Sequence, residues 1–230
     1  MSGEPVSESG LRDGFRHYLR EGHFLAEAPR LVPLSLALYR RLGGSAPVER
    51  AELAGDLNLK VEALNADLRA VPESTIDIDA NGAIVAFGGL SVIPASHVFE
   101  VGGLELYRWC VFDALFLPQL LGKSALSVTR CPVTDMQIEI SLTPTAITSS
   151  RPTSPVMLII APDKESCGEN LRGAFCNHVN FFADETAFRD WQGDRPDVAH
   201  VSLEEAHELA RQRNQYRYGH CLEAFERQPG

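Results

Sequence analysis

The chain has 230 residues, 44% of them hydrophobic, and a net charge of −10 from 21 basic and 31 acidic side chains. That is enough apolar material for a sizeable core in one large domain or two small ones. The acidic balance argues against a general phosphate-binding surface. No apolar run reaches the roughly 20 residues that a membrane span requires. The N-terminal segment mixes Glu, Arg, Asp and His and lacks the apolar core of a signal peptide. The expectation is a cytoplasmic protein with neither nucleic-acid nor membrane partners.

In chain order, residues 1–10 are polar and read as a frayed end. Leu11 to Ala28 reads as a helix, with Phe15, Tyr18, Leu19 and Leu25 on its apolar side and Pro29 as its breaker. Residues 1–28 thus form an N-terminal extension. Leu31 to Leu42 reads as a second helix stopped by Gly43-Gly44. Val48 to Leu57 and Lys60 to Ala70 add two short ones, with Leu53, Leu57, Val61, Leu64 and Leu68 at helical spacing. Alternating runs flank Asn81-Gly82, a hairpin signal. Three helices followed by a hairpin outline a winged helix over residues 29–89. DNA reading by such a module needs cations for phosphate contacts. The third helix balances Lys60 and Arg69 against Glu62 and Asp67, and the wing carries Asp77 and Asp79, so a structural or substrate-covering role fits better.

Residues 90–230 turn to strands. "HVFEVGGLELY" alternates about Gly102-Gly103. Tyr107 to Pro118 reads as a helix ending near Gly122, with Pro118 as a kink or a fresh start. Ser124 to Thr129, Met136 to Leu142 and Val156 to Ala161 read as strands, with prolines punctuating the loops between them. "AFCNHVNFFAD" enters another strand, and Ser202 with Glu205 forms a capping box for a last helix to about Tyr216. Strands in runs, with helices clustered around them, predict an α+β fold: a winged-helix-like helical module with a hairpin, then a mainly antiparallel sheet domain with surrounding helices.

Five cysteines occur, at 110, 131, 167, 176 and 221, and none forms a CxxC pair. In a reducing compartment they are free thiols. Cys110 and Cys176 sit in apolar, aromatic settings; Cys131 precedes Pro132, Cys167 lies in polar "DKESCGEN" and Cys221 is near the C-terminus. Packing or surface roles suit the last three. On a helix, Cys110 and Asp113 would share one face. A carboxylate in "YRWCVFDALFLP" is costly unless something pairs with it. Among the seven histidines, only His178 lies beside another candidate ligand, Cys176.

"LYRWCVFDALFLPQLLG", "SVTRC" and "FCNHVNFFA" resemble the organomercurial lyases (alkylmercury lyases) of bacterial mercury-resistance systems, from about Leu31 to the C-terminal helix. The resemblance implies protonolytic cleavage of the carbon–mercury bond of alkyl- and arylmercury compounds, giving a hydrocarbon and Hg(II). It implies that Cys110, Asp113 and Cys176 are catalytic and hold the mercury of substrate or product, and that Cys131 is structural. Asn177 stands where some members carry a second cysteine. No cofactor is implied beyond Hg(II) bound as product. The implied partners are organomercurial substrates, cellular thiols and a mercuric reductase as Hg(II) acceptor. The competing readings are a non-enzymatic soft-metal-binding protein and a metal-responsive winged-helix regulator.

The residue types suit that chemistry. Thiolate is the softest protein ligand and matches a soft cation. Thiolate rather than thiol attacks, and an ordinary cysteine titrates near about 8.5. A buried carboxyl with a raised pKa can take a thiol proton and return it to carbon. An apolar pocket suits a hydrophobic organic group.

Overall fold

The computed structural model describes residues 7–225. Of the polar N-terminus, residues 1–6 lie outside the described part. Helix α1, Glu8–Glu21, starts earlier than its apolar pattern suggests, because Ser7 caps it: the Ser7 hydroxyl accepts from the Gly10 amide at 3.2 Å. Leu11, Phe15, Tyr18 and Leu19 are its buried stripe, the i, i+4, i+7, i+8 spacing of one helical face. Gly22 ends α1, and a short α2, Phe24–Glu27, follows. The single helix expected over residues 11–28 is therefore two.

Helices α3 (Val32–Leu42), α4 (Arg50–Asp56) and α5 (Val61–Leu68) follow, and then the hairpin of β1 (Ile76–Ile78) and β2 (Ile84–Phe87). The expected boundary after residue 89 falls at a Gly88-Gly89 turn, and β2 stays paired across it with β3 (Leu90–Ser91). The sheet is thus continuous from hairpin to core. Strands β4 (His97–Val101) and β5 (Leu104–Arg108) form the second hairpin, about Gly102-Gly103. Strands β6 (Ala125–Arg130), β7 (Gln137–Leu142) and β8 (Ile147–Arg151) complete an eight-stranded sheet of order β1-β2-β3-β5-β4-β6-β7-β8. A smaller sheet places β9 (Val156–Ile159) between β10 (Phe181–Phe182) and β11 (Ala199–Ser202). Every ladder among the described residues is antiparallel, in an α+β fold.

The sequence reading passed over β8, whose Thr/Ser-rich strand lies between prolines, β11, and three helices: α7 (Lys164–Glu169), α8 (Leu171–Ala174) and α9 (Glu185–Gln192). The last helix, α10, runs over Leu203–Phe225, beyond the expected end near Tyr216. Its Ser202 cap is in place, with the hydroxyl accepting from the Glu205 amide at 3.1 Å.

The larger correction concerns Tyr107 to Pro118. Tyr107 and Arg108 end β5, residues 109–112 turn, and helix α6 begins only at Asp113 and runs to Leu121. Cys110 is therefore not on a helix. Pro118 lies inside α6, and Gly122 closes it in the left-handed conformation at φ 64°. Among the described residues, no helix is long and apolar enough to cross a membrane.

Helix α1 lies against α10 and over the cysteine-bearing segments. Arg12 pairs with Glu205 and donates to the His200 carbonyl at 2.7 Å. The Phe15 ring meets Phe112 edge-on at 5.4 Å and stacks on Phe175 at 5.8 Å. Phe112 follows Cys110 by two positions, and Phe175 directly precedes Cys176. One ring thus ties the two thiol segments together. Phe15→Ala should cost about 3–5 kcal/mol, the usual range for a fully buried phenylalanine. Urea unfolding measures it; a loss below about 1 kcal/mol would show that α1 merely rests on the site.

Candidate active site

Strand β5 delivers Arg108 to the middle of the sheet, where it is fully buried. Its guanidinium donates to Ser127 Oγ at 2.7 Å, to the Val128 carbonyl at 3.2 Å and to the Cys110 carbonyl at 3.2 Å. One residue on, the Trp109 amide donates to the Gly89 carbonyl at 3.0 Å. The Cys110 amide then donates to Asp113 Oδ2 at 2.7 Å. Both sides of the Cys110 peptide are held, one by a cation and the other by a carboxylate.

Asp113 is the first residue of α6 and is buried. A helix N-terminus favours a negative group there. Its surroundings oppose the charge more strongly: burial raises its pKa from 3.8 to about 6, against the lowering pull of the Cys110 amide, Arg213 and Arg108. Gly89 makes the close approach possible. Its φ is +105°, and a methyl group built on it would lie 2.5 Å from the Asp113 carboxyl carbon. No other residue type has both the backbone freedom and the room.

Cys176 opens a short 3-10 turn, Cys176–His178, after α8. Far from Cys110 in sequence, its thiol is nevertheless close enough to the Cys110 thiol to help raise that thiol's pKa. Cys110 is fully buried, and burial followed by the Cys176 contact and the Asp113 charge pushes its pKa well up. At rest it is a thiol. The three candidates Cys110, Asp113 and Cys176 are brought together.

A cavity of about 90 Å³ opens on this cluster, walled by Asp113, Cys176, Phe112, Phe116, Phe175 and Tyr18 among others. Helix α10 supplies Arg213, which lies 3.5 Å over the Phe116 ring and is buried. On the other side of Cys176 is a polar cleft of about 540 Å³, bordered by Asp77, His97, Arg172, Asn177 and Asn180. Arg172 pairs with Asp77 and lies 4.0 Å over the Trp109 ring.

The other expectations fare differently. Cys131 is buried in a turn, with its amide on the Met136 carbonyl at 2.9 Å and its carbonyl accepting from Asp135 at 3.0 Å. His178 is exposed and bonds the Gly173 carbonyl at 2.9 Å, away from any ligand role. Cys167 does not lie in a polar loop: it is 3% exposed, on α7, and lines the cavity with Cys176. The residue reading also left Arg108, Gly89, Tyr18 and Arg213 without roles. A charged residue inside "LYRWC" was the visible signal for Arg108. Among the described residues no three His, Cys, Asp or Glu side chains converge on one metal position.

The raised Asp113 pKa has a measurable consequence. A carboxyl whose folded pKa is raised contributes stability that is fully present below its unfolded value and is lost as pH rises through the folded value. Asp113→Asn lacks that titration. The stability of the variant relative to the parent should therefore shift in the variant's favour between about pH 4 and about pH 7. Denaturant unfolding at both pH values reads it, and a constant difference would mean that Asp113 titrates as an ordinary carboxylate.

The family model for alkylmercury lyase, MerB, matches residues 90–215. An alkylmercury lyase of Staphylococcus epidermidis is 31% identical over 185 residues, covering 80% of this chain and 83% of that one. One from Bacillus cereus is 35% identical over 174 residues, covering 76% and 77%. The crystal structure of the mercury-bound form of MerB2 superposes with a TM-score of 0.71 at 20% identity, covering 91% of this chain and 100% of its own, and so shares the fold. The sequence motifs, the match across most of each relative and the shared fold agree: the chain belongs to the alkylmercury lyase family.

Proposed function

We propose that Cys110, Cys176 and Asp113 perform the carbon–mercury cleavage of this family member. The observation that carries the reading is the meeting of two buried thiols and a buried carboxyl of raised pKa, with Cys176 and Asp113 on the wall of an apolar cavity and Cys110 enclosed beside them. The organic group of an alkyl- or arylmercury substrate enters the cavity, and its mercury meets sulfur. One thiol proton leaves as the first Hg–S bond forms. The Asp113 carboxylate takes the second as the other thiol binds. With two thiolates on mercury, the attached carbon gains negative character. Asp113 then gives its proton to that carbon; the C–Hg electron pair becomes the new C–H bond, and Hg(II) remains between the two sulfurs. No atom changes oxidation state through an outside reagent, so the balance closes without a redox or organic cofactor.

An acid titrating near about 6 suits both halves of this transfer, because it accepts and donates readily close to neutrality. Arg108 and Arg213 keep Asp113 from rising further, and Arg108 fixes the Cys110 carbonyl. Hg(II) then passes to cellular thiols and to a mercuric reductase in the cytoplasm. The N-terminal helices and hairpin serve as a winged-helix-like cover over the site. Their charges favour no nucleic acid: Asp77, on the wing, is engaged by Arg172 at the cleft beside Cys176.

Cys110→Ala and Cys176→Ala should each abolish hydrocarbon release from phenylmercury in excess thiol. Cys131→Ala should lower the melting temperature instead. Asp113→Asn keeps the shape and both thiols, so it should still bind Hg(II) but cleave about 10²–10⁴-fold more slowly, the usual contribution of general acid–base catalysis. Gas-phase detection of benzene with mercury binding on the same preparation separates the two effects. Parent-like cleavage by a folded Asp113→Asn protein would remove the carboxyl from the mechanism.

A further inference from the structure

The Cys110 sulfur is fully buried and does not reach the cavity wall, whereas Cys176 and Cys167 both line it. Cys176 also borders the polar cleft. Cys176 is thus flanked by the other two thiols, with enclosed Cys110 on one side and Cys167, a fellow residue of the cavity wall, on the other. Cys167 is held in place. The Asp163 carboxylate caps its helix through the Ser166 amide at 2.8 Å, and the Ser74 hydroxyl donates to the Cys167 carbonyl at 3.3 Å. Burial pushes the Cys167 thiol up, and the neighbouring Tyr18 hydroxyl offsets only part of that rise.

We propose that Cys167 is a third mercury-binding thiol of the site, taking product Hg(II) from Cys110 while Cys176 keeps its hold. The inference rests on the assignment of Cys110 and Cys176 as the cleavage thiols. After hydrocarbon leaves, Hg(II) lies between two sulfurs, one of them inaccessible to any outside thiol. Exchange at mercury proceeds by attack of a thiolate, so the attacking sulfur must reach the metal. Cys167 is the thiol already in the cavity. In the step, the Hg–S bond to Cys167 forms and the bond to Cys110 breaks. The Cys167 proton ends on the Cys110 sulfur, through Asp113 or directly, and nothing is oxidised or reduced. The new Cys176–Hg–Cys167 pair lies at the cavity surface, where an outside thiol such as glutathione can displace it.

The test uses inorganic Hg(II) on the full chain with Cys221→Ala, which removes the half-exposed thiol. Mercury-edge X-ray absorption counts sulfurs at the metal after a dialysis step. The parent should show two, and Cys110→Ala should still show two, now from Cys176 and Cys167. Cys110→Ala with Cys167→Ala should show one from the protein. A folded Cys167→Ser protein should also lose Hg(II) to excess glutathione more slowly than the parent. Equal sulfur counts in the single and double variants, or parent-rate transfer from Cys167→Ser, would overturn the relay alone. A parent that fails to hold Hg(II) by two sulfurs would overturn the Cys110–Cys176 site and the relay with it.

Discussion

A carboxylate buried at the start of α6, accepting the amide of a cysteine three residues earlier, sets the terms for everything around it. An isolated carboxylate in a low-dielectric interior costs far more than one hydrogen bond returns. The structure answers with several partial supports. The helix N-terminus, the Cys110 amide and the cations Arg108 and Arg213 all favour the charge, yet burial still leaves the group near about 6. Removing any one support would push the pKa further up. Adding a direct salt bridge would pull it down and make the group a poor acid. Among the described residues Arg108 has no direct carboxylate partner, which fits this balance: its two terminal nitrogens donate to Ser127 and to backbone carbonyls, so its charge acts on Asp113 at a distance.

The backbone geometry follows from the same constraint. The Cys110 amide is given to the Asp113 side chain, as an N-cap amide is in a capping box, so the bond marks a helix start, and α6 begins later than the apolar run suggests. Because the carboxylate occupies that position, the chain opposite must be glycine. The Trp109 amide to Gly89 carbonyl bond then fixes how closely the two strands pass. Phe15 brings the second thiol segment to the first from outside the sheet.

Much of this was legible in the sequence. The Asn81-Gly82 and Gly102-Gly103 hairpins, the strands of residues 125–142 and the Ser202 cap were visible because turn chemistry and alternation are local signals. Two kinds of feature were not. The Cys110 turn has helical composition, which does not mark that the Cys110 amide goes to the Asp113 side chain and that the helix starts only there. Cys167 sits among polar residues because α7 is short and one-sided: Lys164, Glu165, Ser166 and Gly168 face out while the thiol alone faces in. A single inward residue in one and a half turns leaves no periodic trace. Strand β8 hid for a related reason, since its residues are exposed or half-exposed at the sheet edge and lack an apolar face. Arg108 was visible as an oddity, but the strands that satisfy it come from distant parts of the chain.

The protonated state of the buried Cys110 thiol also bears on selectivity. A site of preformed thiolates would attract many cations, whereas a thiol held well above its ordinary pKa must be deprotonated at the expense of the incoming metal. Hard cations gain too little from sulfur to meet that cost. A soft cation gains enough, and the nearby Asp113 carboxylate lowers the barrier by receiving the proton. In the mechanism proposed above, the same proton is the one that carbon later needs. Burial, which raises the pKa of Cys110 and Asp113, would then serve two ends: restricting the site to soft metals and retaining the proton where the C–Hg bond breaks. The apolar wall of Phe112, Phe116 and Phe175 supplies that burial and fits the organic half of the substrate. The same greasy surroundings that make Asp113 look misplaced in the sequence are what give it a usable acidity.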